Sequence, residues 1–461
     1  MASRVTTRTG GRPATTGLIE GRFGLSVGRP RSDPPSGWEW VPLSGVARLE
    51  TGHTPSRRHP EYWGGEIPWI GIRDATENHG RVIYDTYQHT NDVGIANSSA
   101  RVLPANTVCL SRTASVGYVV VMGRPMATSQ DFVNWVCSDR LDHRFLKYVL
   151  LAEHEALLRF ASGTTHQTIY FPEVKAFHVS LPPIHEQRAI ANVLGTLDDK
   201  IELNRRMSET LESIARAIFK SWFVDFDPVR AKADGRDPGL PKHIADLFPD
   251  RLVDSELGPI PAGWQIGKLG DVADHPRRTV NPHDVDAETP YIALEHMPKR
   301  CIALTNWGAA GGLASNKFRF RRSEILFGKL RPYFHKVGVA PLDGVCSTDI
   351  VVVNSRDDGW FGFVLGHFSS DEFVEYTNLS STGTRMPRTN WRDMSKFAVA
   401  LPPPTVAATF ADLIRPLTEK IIGTTHESRS LAALRDTLLP KLISGEIRLS
   451  GAQASTRNPA G

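Results

Sequence analysis

Apolar side chains recur at alternating intervals of four and three residues in two stretches of the chain, one from residue 190 and one from residue 410. A repeat of about 3.5 residues is typical of long helices that pack as a coiled coil. The seam positions are Leu197, Ile201, Asn204, Ser208, Leu211 and Ile218 in the first stretch, and Leu417, Ile421, Thr424, Ser428, Leu431 and Leu438 in the second.

Each predicted seam has a polar layer at its midpoint. Asn204 and Ser208 interrupt the first apolar run, and Thr424 and Ser428 interrupt the second. Polar seam residues cost stability but fix the register of the two helices. Because a second domain lies between the helices along the chain, we expect the second helix to return antiparallel, with an approximate two-fold relation between the halves. A helical hairpin that merely holds domains apart is compatible with the same pattern.

A proline falls inside the second predicted helix. Pro416 lacks the N–H that a helical hydrogen bond needs, and proline kinks or breaks helices. Gly195 lies one position off from it in the first copy. We therefore predict a joint at this point in both helices. The straight parts are expected at 197–223 and 417–442, roughly 40 Å long for about 26 residues each.

The helices belong to a repeat that runs through most of the chain. Residues 181–201 read LPPIHEQRAIANVLGTLDDKI and residues 401–421 read LPPPTVAATFADLIRPLTEKI, at an offset of 220 residues without a gap. A weaker match in apolar pattern relates residues 108–112 to residues 325–329. Self-similarity at a fixed offset indicates two copies of one structural unit.

The segments between the helices read as short strands joined by long loops. Their apolar runs are short, β-branched and punctuated by Gly, Pro, Asn and Asp. Residues 145–160 are apolar at helical spacing and are expected to form a helix on the sheet. The predicted fold class is α+β, with two β-rich domains separated by two long antiparallel helices. The predicted boundaries are a disordered basic tail at 1–36, a first variable domain at 37–180, a first helix at 181–224, a linker at 225–261, a second variable domain at 262–400, a second helix at 401–447 and a disordered C-terminal tail at 448–461.

Composition adds few constraints. The net charge is +4, and residues 1–36 contain six arginines and two acidic residues, so the rest of the chain balances to zero. A DNA-binding surface on the folded part therefore requires that its charge be segregated by face. No apolar run approaches the length of about 18 residues that spans a membrane, and the N-terminus lacks a secretory signal. The four cysteines show no zinc-site or disulfide spacing. We expect a cytoplasmic protein.

Several motifs resemble those of the specificity (S) subunits of type I restriction–modification systems, the HsdS family. Residues 181–201, with Leu-Pro-Pro followed by Glu-Gln and Leu-Asp, resemble the central conserved region of that family. Residues 438–447 (LLPKLISGEI) are similar to its distal conserved region, and residues 222–228 (WFVDFDP) resemble one subgroup. The resemblance covers about residues 37–447. It is specific, because both copies and their spacing fit together.

The resemblance implies a DNA-recognition subunit. Each variable domain would be a target recognition domain that reads one half of a split, asymmetric site in double-stranded DNA. The helices would set the distance between the two readers and dock two methyltransferase (M) subunits, on which restriction/translocase (R) subunits assemble. The complex would direct adenine methylation and DNA restriction in phage defence.

The sequence contains no catalytic motif that we would assign, and we expect a non-catalytic subunit. Asn281-Pro282-His283-Asp284 is the nearest match to an adenine methyltransferase motif, but it lacks the second proline and the aromatic residue. The sequence has no GxxxxGK[ST] loop for ATP and no histidine pair at metal-ligand spacing. We predict no cofactor or metal on this chain. The resemblance implies S-adenosylmethionine, ATP and magnesium on the partner subunits.

Candidate base-reading residues lie in two pairs of predicted loops. Arg suits guanine and Asn or Gln suits adenine, provided that the side chain protrudes. For any one residue, the alternative is a solvated loop charge or an ion-pair partner. The candidates are Thr164, Thr165, His166 and Gln167 in one loop, Thr384, Arg385, Arg388 and Asn390 in its counterpart, and Arg73, Arg112 and Thr113 with Lys329 and Arg331 in the second pair.

Two other functions fit the sequence. The chain could be the specificity module of a fused methyltransferase–nuclease system. It could also be a structural adaptor, with two β-rich domains on a coiled coil that bind protein rather than DNA. The matched loops and the basic residues at equivalent positions argue only weakly against the adaptor.

Overall fold

The chain is described by a computed structural model for residues 17–163, 167–383 and 386–449. The described residues form two compact units. The first unit contains the residues up to Asp198 and those from Ala433 onward, and the second contains Asp199–Ala432. Both boundaries fall inside long helices, so each unit contains part of both helices.

The described strands of the first unit are short and form three sheets. The sheet orders are β1-β2-β12-β3, β10-β5-β7 and β4-β11-β8-β9-β6. The strands are β1 (Ile19–Glu20), β2 (Leu25–Val27), β3 (Glu39–Pro42), β4 (Ala47–Thr51), β5 (Trp63–Ile70), β6 (Val82–Ile83), β7 (Gln88–Thr90), β8 (Val108–Ser111), β9 (Val119–Met122), β10 (Ala127–Thr128), β11 (Phe132–Cys137) and β12 (Phe177–Leu181).

The helices of the first unit cover its sheets. The α3 residues Phe145, Leu146 and Val149 are fully buried in the same cluster as the strand residues Leu110 and Trp135. The buried face follows the helical period that the sequence shows. The helices within this unit are α1 (Ile72–Glu77), α2 (Asp92–Ala96), α3 (His143–Ala152), α4 (His154–Phe160) and α5 (Phe171–Lys175).

The second unit repeats this plan with different loops. Its sheet orders are β13-β14, β15-β25, β16-β24-β21-β22 and β17-β20-β23-β18-β19. The strands are β13 (Leu252–Val253), β14 (Ile260–Pro261), β15 (Gln265–Lys268), β16 (Ala273–Asp274), β17 (Thr279–Val280), β18 (Pro290–Ile292), β19 (Gly308–Ala309), β20 (Lys317–Phe320), β21 (Ile325–Gly328), β22 (Val337–Val339), β23 (Gly344–Cys346), β24 (Ile350–Ser355) and β25 (Ala398–Leu401). The helices within this unit are α7 (Asp227–Ala233), α8 (Lys242–Ala245), α9 (Leu269–Val272), α10 (Phe361–Phe368), α11 (Asp371–Leu379) and α12 (Trp391–Met394). The two long helices, α6 (Ile184–Phe223) and α13 (Pro404–Ile443), are divided between the two units.

The internal repeat is confirmed in the strand pairing. β3 pairs with β12 with Glu39 opposite Leu181, and β15 pairs with β25 with Gln265 opposite Leu401. In the same way β8 lies between β11 and β9, and β21 lies between β24 and β22. Both central strands are buried at every residue. Burial on both faces requires apolar residues without specifying which ones, so the two copies match in pattern rather than in identity.

The long helices run antiparallel where they meet inside the second unit. As residue numbers rise along α6, the contacting residues fall along α13: Asn204 contacts Ser428, and Ser208 contacts Thr424. Towards the end of α6, the ring of Trp222 lies 5.6 Å from that of Phe410. The predicted antiparallel pairing is therefore confirmed.

The predicted joint at Pro416 does not interrupt the helix. α6 and α13 are each continuous over 40 residues. The helical hydrogen bond that Pro416 cannot donate would end on the carbonyl of Asp412, four residues earlier. Pro416 and Asp412 are both exposed. Water can therefore solvate that carbonyl, and the helix continues past the proline.

The predicted disordered tail is wrong for residues 17–36. β1 and β2 form an antiparallel pair that extends the sheet from β12. Leu25 and Val27 are each 1% exposed and belong to the core of the first unit. Residues 1–16 of the prediction lie outside the described residues. The charge and the Gly/Pro content of this segment predict disorder. The strand that orders it, β12, lies about 150 residues away in the sequence, so no local pattern indicates the pairing.

A buried carboxylate holds this segment in place. Glu153 lies between α3 and α4 and divides the single helix predicted over residues 145–160. It is 1% exposed, and several backbone N–H groups around one carboxylate form an anion-binding concavity. The N–H groups that donate to it are those of Arg22, Phe23, Gly24 and Leu25.

The predicted disordered C-terminal tail is wrong for Arg448 and Leu449, which contact the first unit. Arg448 pairs with Glu186 at 2.7 and 3.0 Å and donates a hydrogen bond to the backbone oxygen of Ser36. The indole N–H of Trp38 also donates to Glu186, at 3.2 Å. Leu449 packs against the core of the first unit. Residues 450–461 lie outside the described residues.

Candidate nucleic-acid interface

In the first unit, the predicted loop before α6 is closed at its base. Ser162 and Thr168 exchange two backbone hydrogen bonds of 3.0 Å. Thr168 also pairs with Thr113, and their hydroxyl oxygens are 2.7 Å apart. The backbone N–H of Ile169 donates to the carbonyl of Arg112. The base of the loop therefore lies beside the segment that follows β8.

The second unit contains the same arrangement. Thr382 and Arg388 exchange two backbone hydrogen bonds of 3.0 Å, and Arg388 forms a bridge with Leu330. The N–H of Thr389 donates to the carbonyl of Lys329, and that of Arg331 donates to the carbonyl of Pro387. In each unit, the structure thus brings together the loop before the long helix and the basic segment after a central strand.

The two basic segments also share a support. The N–H of Arg112 donates to the carbonyl of Asp131 at 2.7 Å, and the N–H of Lys329 donates to that of Asp349 at 2.9 Å. We call the two assemblies the first loop platform (residues 111–113, 131, 162, 163, 167 and 168) and the second loop platform (residues 329–331, 349, 382, 383 and 386–390).

Some predicted site residues lie outside the described residues, and one has a local role. Gln167 is exposed on the first loop platform. Asn390 caps α12: its side chain accepts from the N–H of Asp393 and donates to the Asp393 carboxylate. The predicted residues for which no placement is described are Thr164, Thr165, His166, Thr384 and Arg385.

The cationic groups of the platforms are partly desolvated. The Arg112 guanidinium lies 4.6 Å from the centre of the Phe171 ring, and burial lowers its pKa. Burial also lowers the pKa of Lys329, with Arg388 and Arg277 contributing through their charges and Asp349 opposing them. Arg388 lies 3.2 Å from the Asp349 carboxylate. The second loop platform thus collects several positive charges around one acid.

Arg331 has a constrained backbone and a buried donor. Its φ of +52° lies in the left-handed region, which a residue with a Cβ adopts at an energetic cost. Its Nε is buried without a partner among the described residues. A buried donor of this kind is costly in a packed interior.

Arg73 belongs to a different surface. It lies on α1, with its guanidinium 3.6 Å from the Tyr87 ring centre and its Nε 3.1 Å from Glu77. The hydrogen bond to Glu77 raises the pKa of Arg73. Arg73 and Tyr87 line a cleft that also reaches Asp131, the residue under the first loop platform.

Two further arginines were not singled out from the sequence. Arg277 is exposed near Lys329 on the second loop platform. Arg57 lines the Arg73 cleft, with its guanidinium above Trp63. Neither follows a recognisable motif, and each is brought to its site by contacts distant in sequence. An arginine a few positions from an aromatic residue, as Arg57 is from Trp63, is the signal that a wider search of the sequence could have used.

The structure brings together the four residues of the predicted polar layer. Asn204 donates to Glu427 at 2.8 Å and lies 3.3 Å from the Ser428 hydroxyl, while the Ser208 and Thr424 hydroxyls are 3.0 Å apart. Of the other seam residues, Ile421 is buried, and those that are half-buried are Leu197, Ile201, Leu211, Ile218, Leu417, Leu431 and Leu438.

A buried acid on α6 lies beside this seam. Glu212 is 8% exposed, and its carboxylate accepts from the N–H of Ile302 at 3.0 Å and from Arg216 at 2.8 Å. Burial raises the pKa of Glu212. The acid therefore joins α6 to the segment between β18 and β19 within the second unit.

The described residues offer little sign of metal or membrane chemistry. Among them, no group of three or more His, Cys, Asp and Glu side chains is placed to hold a metal ion. None of the helices in the same ranges is both long enough and apolar enough to span a bilayer.

Comparisons with known proteins agree with this architecture. Residues 35–213 match the family model described as the type I restriction modification DNA specificity domain. The chain is 28% identical over 430 residues to the type I restriction enzyme MjaIX specificity subunit of Methanocaldococcus jannaschii, covering 90% of this chain and 94% of that protein. It is 27% identical to the HindI specificity subunit of Haemophilus influenzae, covering 62% and 72% of the two chains.

A solved structure shares the fold. The S subunit of a type I restriction–modification system from M. genitalium superposes with a TM-score of 0.53 at 15% identity, covering 90% of this chain and 98% of that one. In sequence over most of its length, and in fold, the chain is therefore similar to specificity subunits of type I restriction–modification systems.

Proposed function

We propose that this chain is the DNA-recognition subunit of a type I restriction–modification complex, and that each unit reads one half of a split DNA site. The observation that carries the proposal is the duplicated loop platform. In both units a loop before a long helix is closed by a two-hydrogen-bond bridge and rests on a basic segment. Two similar but non-identical platforms suit a site with two different halves.

The charge on the platforms supports DNA as the ligand. Arg112 and Lys329 occupy equivalent positions, and both are held by the backbone of an acidic residue. Positive side chains on protruding loops can contact phosphates and base edges. A protein-binding adaptor would not need cations at equivalent places in two otherwise different domains.

We assign two roles to the long helices: they set the distance between the two units, and they dock the partner subunits. Their antiparallel contact with a polar layer fixes register, which a spacer between two readers requires. We propose that two methyltransferase subunits dock on this core and that restriction/translocase subunits join them on double-stranded DNA. The partner subunits would supply S-adenosylmethionine, ATP and magnesium, and this chain would contribute recognition without catalysis.

The test is reconstitution of the chain with its methyltransferase subunits, followed by mapping of adenine methylation on a randomised duplex library. We expect methylation at two short specific blocks separated by a gap without base preference. The chain alone should not transfer methyl groups, cleave DNA or hydrolyse ATP. Methylation without sequence preference by the complex, or binding to a protein but not to DNA, would contradict the proposal. Activity with an enzyme that fuses methyltransferase and nuclease, rather than with separate subunits, would assign the chain to a fused system.

A further inference from the structure

Arg57 in the first unit is held in a fixed orientation although it is exposed. Its guanidinium carbon lies 4.1 Å from the centre of the Trp63 ring and 5.2 Å from that of Trp69. One terminal nitrogen donates to the side-chain oxygen of Gln88 at 2.8 Å. Three contacts on one flexible side chain restrict rotamers that a free surface arginine would sample.

The two tryptophans beneath Arg57 are themselves fixed. Their rings meet edge to face, with centres 5.2 Å apart at 85°. The Trp69 indole donates to the carbonyl of His53 at 3.1 Å, and Trp69 is 5% exposed. The Trp63 indole donates to the carbonyl of Ser56 at 3.4 Å. The two indole rings beneath the guanidinium are therefore already ordered before a ligand binds.

This arginine lines the same cleft as Arg73. The cleft is lined by Arg57, Arg73, Gln88 and Asp131, among others. Arg73 is already paired with the carboxylate of Glu77, whereas Arg57 has an amide, Gln88, as its hydrogen-bond partner. Arg57 thus lines the cleft without a salt-bridge partner among the described residues. Asp131 connects the cleft to the first loop platform, because its carbonyl accepts from Arg112.

A stacked guanidinium presents its donors along the edge of its plane. That geometry matches the O6 and N7 acceptors on the major-groove edge of guanine, which take two parallel hydrogen bonds. A phosphate contact needs charge but not a fixed plane, and flexible lysines make it equally well. The position of the guanidinium over the Trp63 ring and its hydrogen bond to Gln88 therefore favour base reading over backbone contact.

We propose that Arg57 is a specificity-determining residue that reads a guanine in the half-site bound by the first unit, with Trp63 and Gln88 as positioning residues. The inference rests on the proposed function and adds the identity of one base and of the side chain that reads it.

The test uses the chain reconstituted with its methyltransferase subunits and a randomised duplex library, read out as methylation at every site. Arg57→Lys keeps the charge and removes the planar fork. We expect discrimination for guanine to fall by roughly 5- to 150-fold at one position of one half-site, with the other half-site unchanged. Arg58→Lys is the matched control, since Arg58 is the exposed neighbour of Arg57, and it should leave every position unchanged.

Two further variants sharpen the test. Glutamine pairs with adenine rather than guanine, so Arg57→Gln should move the preferred base at that same position toward adenine. Trp63→Leu removes the aromatic surface and should weaken the guanine preference, and Trp63→Tyr should restore most of it. A purely structural role for Trp63 would lower methylation of all sequences without altering base preference.

The outcomes separate this inference from the proposed function. If wild type methylates a split site and Arg57→Lys leaves all base preferences intact, the inference is wrong and the proposed function stands. A uniform loss on all sequences in Arg57→Gln, which removes the charge, together with a shallower salt dependence and no shift in base preference, would identify a phosphate contact and would also overturn the inference. If wild type shows no split site, the proposed function itself fails.

Discussion

The carboxylate of Glu153 lies 2.7 Å from the backbone N–H of Gly24, across 129 positions of the sequence. This contact joins the segment before β2 to the junction between α3 and α4. We predict that Glu153→Gln destabilises the first unit by about 2–3 kcal/mol, because the charged acceptor is lost and the amide N–H₂ faces other donors.

Hydrogen exchange can locate the effect of Glu153→Gln. The amides of residues 22–28 should lose protection before those of the second unit. Glu155→Gln is the control, since Glu155 lies two residues away and is exposed. Unchanged protection around Gly24 in Glu153→Gln would show that the carboxylate does not hold the segment.

Removing residues 1–35 should be more damaging than a sequence-based assignment of a disordered tail would suggest. The deletion takes away β1 and β2, and with them the buried side chains of Leu25 and Val27. It also exposes the hydrogen-bonding edge of β12. We expect a lower thermal midpoint and aggregation on heating, measured against the full chain. A deletion variant with the stability of the full chain would contradict the structural role of the pair.

The raised pKa of Glu212 predicts a pH-dependent cost. Because the folded state holds the proton more tightly than the unfolded state, stability should fall as pH rises from the ordinary value of 4.5 through the folded-state pKa. Glu212→Gln removes that cost. The free energy of unfolding of Glu212→Gln, relative to that of wild type, should therefore increase as pH rises through this window.

Denaturant titrations at several pH values test the Glu212 prediction. Glu209→Gln serves as control, because Glu209 lies one turn earlier on α6 and is exposed. A difference between Glu212→Gln and wild type that stays constant with pH would argue against a shifted carboxyl group.

The loop platforms should be separable by mutation. Arg112→Ala is expected to weaken recognition of one half-site and Arg388→Ala that of the other, each by about 1–3 kcal/mol if a bidentate base contact is lost. Arg356→Ala, at an exposed arginine of the second unit, should leave both half-sites unchanged. Methylation mapping of the reconstituted complex distinguishes these results. If either platform mutant altered both halves together, the units would not read separately.

The helices should set the gap in the target. One heptad inserted beside Asn204 and another beside Thr424 keep both seams in phase and add about 10 Å to each helix. The half-sites should be retained and the gap should lengthen by roughly three base pairs, at about 3.4 Å per pair. Insertion into one helix alone is the mismatch control and should destabilise the helix pair. A doubly extended, folded chain that methylates the original spacing would show that another element sets it.

The sequence was most informative where the repeat constrained the answer. The matching of residues 181–201 with 401–421, and of β8 with β21, could be predicted because burial enforces the same apolar period twice. The polar layer followed from the same period, since Asn204 and Ser208 break it at one place.

Local sequence patterns could not predict features that depend on residues far apart in the sequence. The pairing of β2 with β12 and the carboxylate of Glu153 join segments far apart in sequence, so residues 17–36 looked disordered. Pro416 was expected to break a helix because its solvent exposure was unknown. Arg57 carried no motif, and its role depends on Trp63 and Gln88 meeting it in the fold.

The first unit is assembled from two separated parts of the chain, and this has a consequence for biosynthesis. During synthesis the second unit, Asp199–Ala432, is complete before the last segment of the first unit leaves the ribosome. The Arg448 contact with Glu186 cannot form until residue 448 has been made. The first unit must therefore finish folding after the second unit has been synthesised, and a frameshift between the codons for residues 432 and 448 would damage the first unit while leaving the sequence of the second intact.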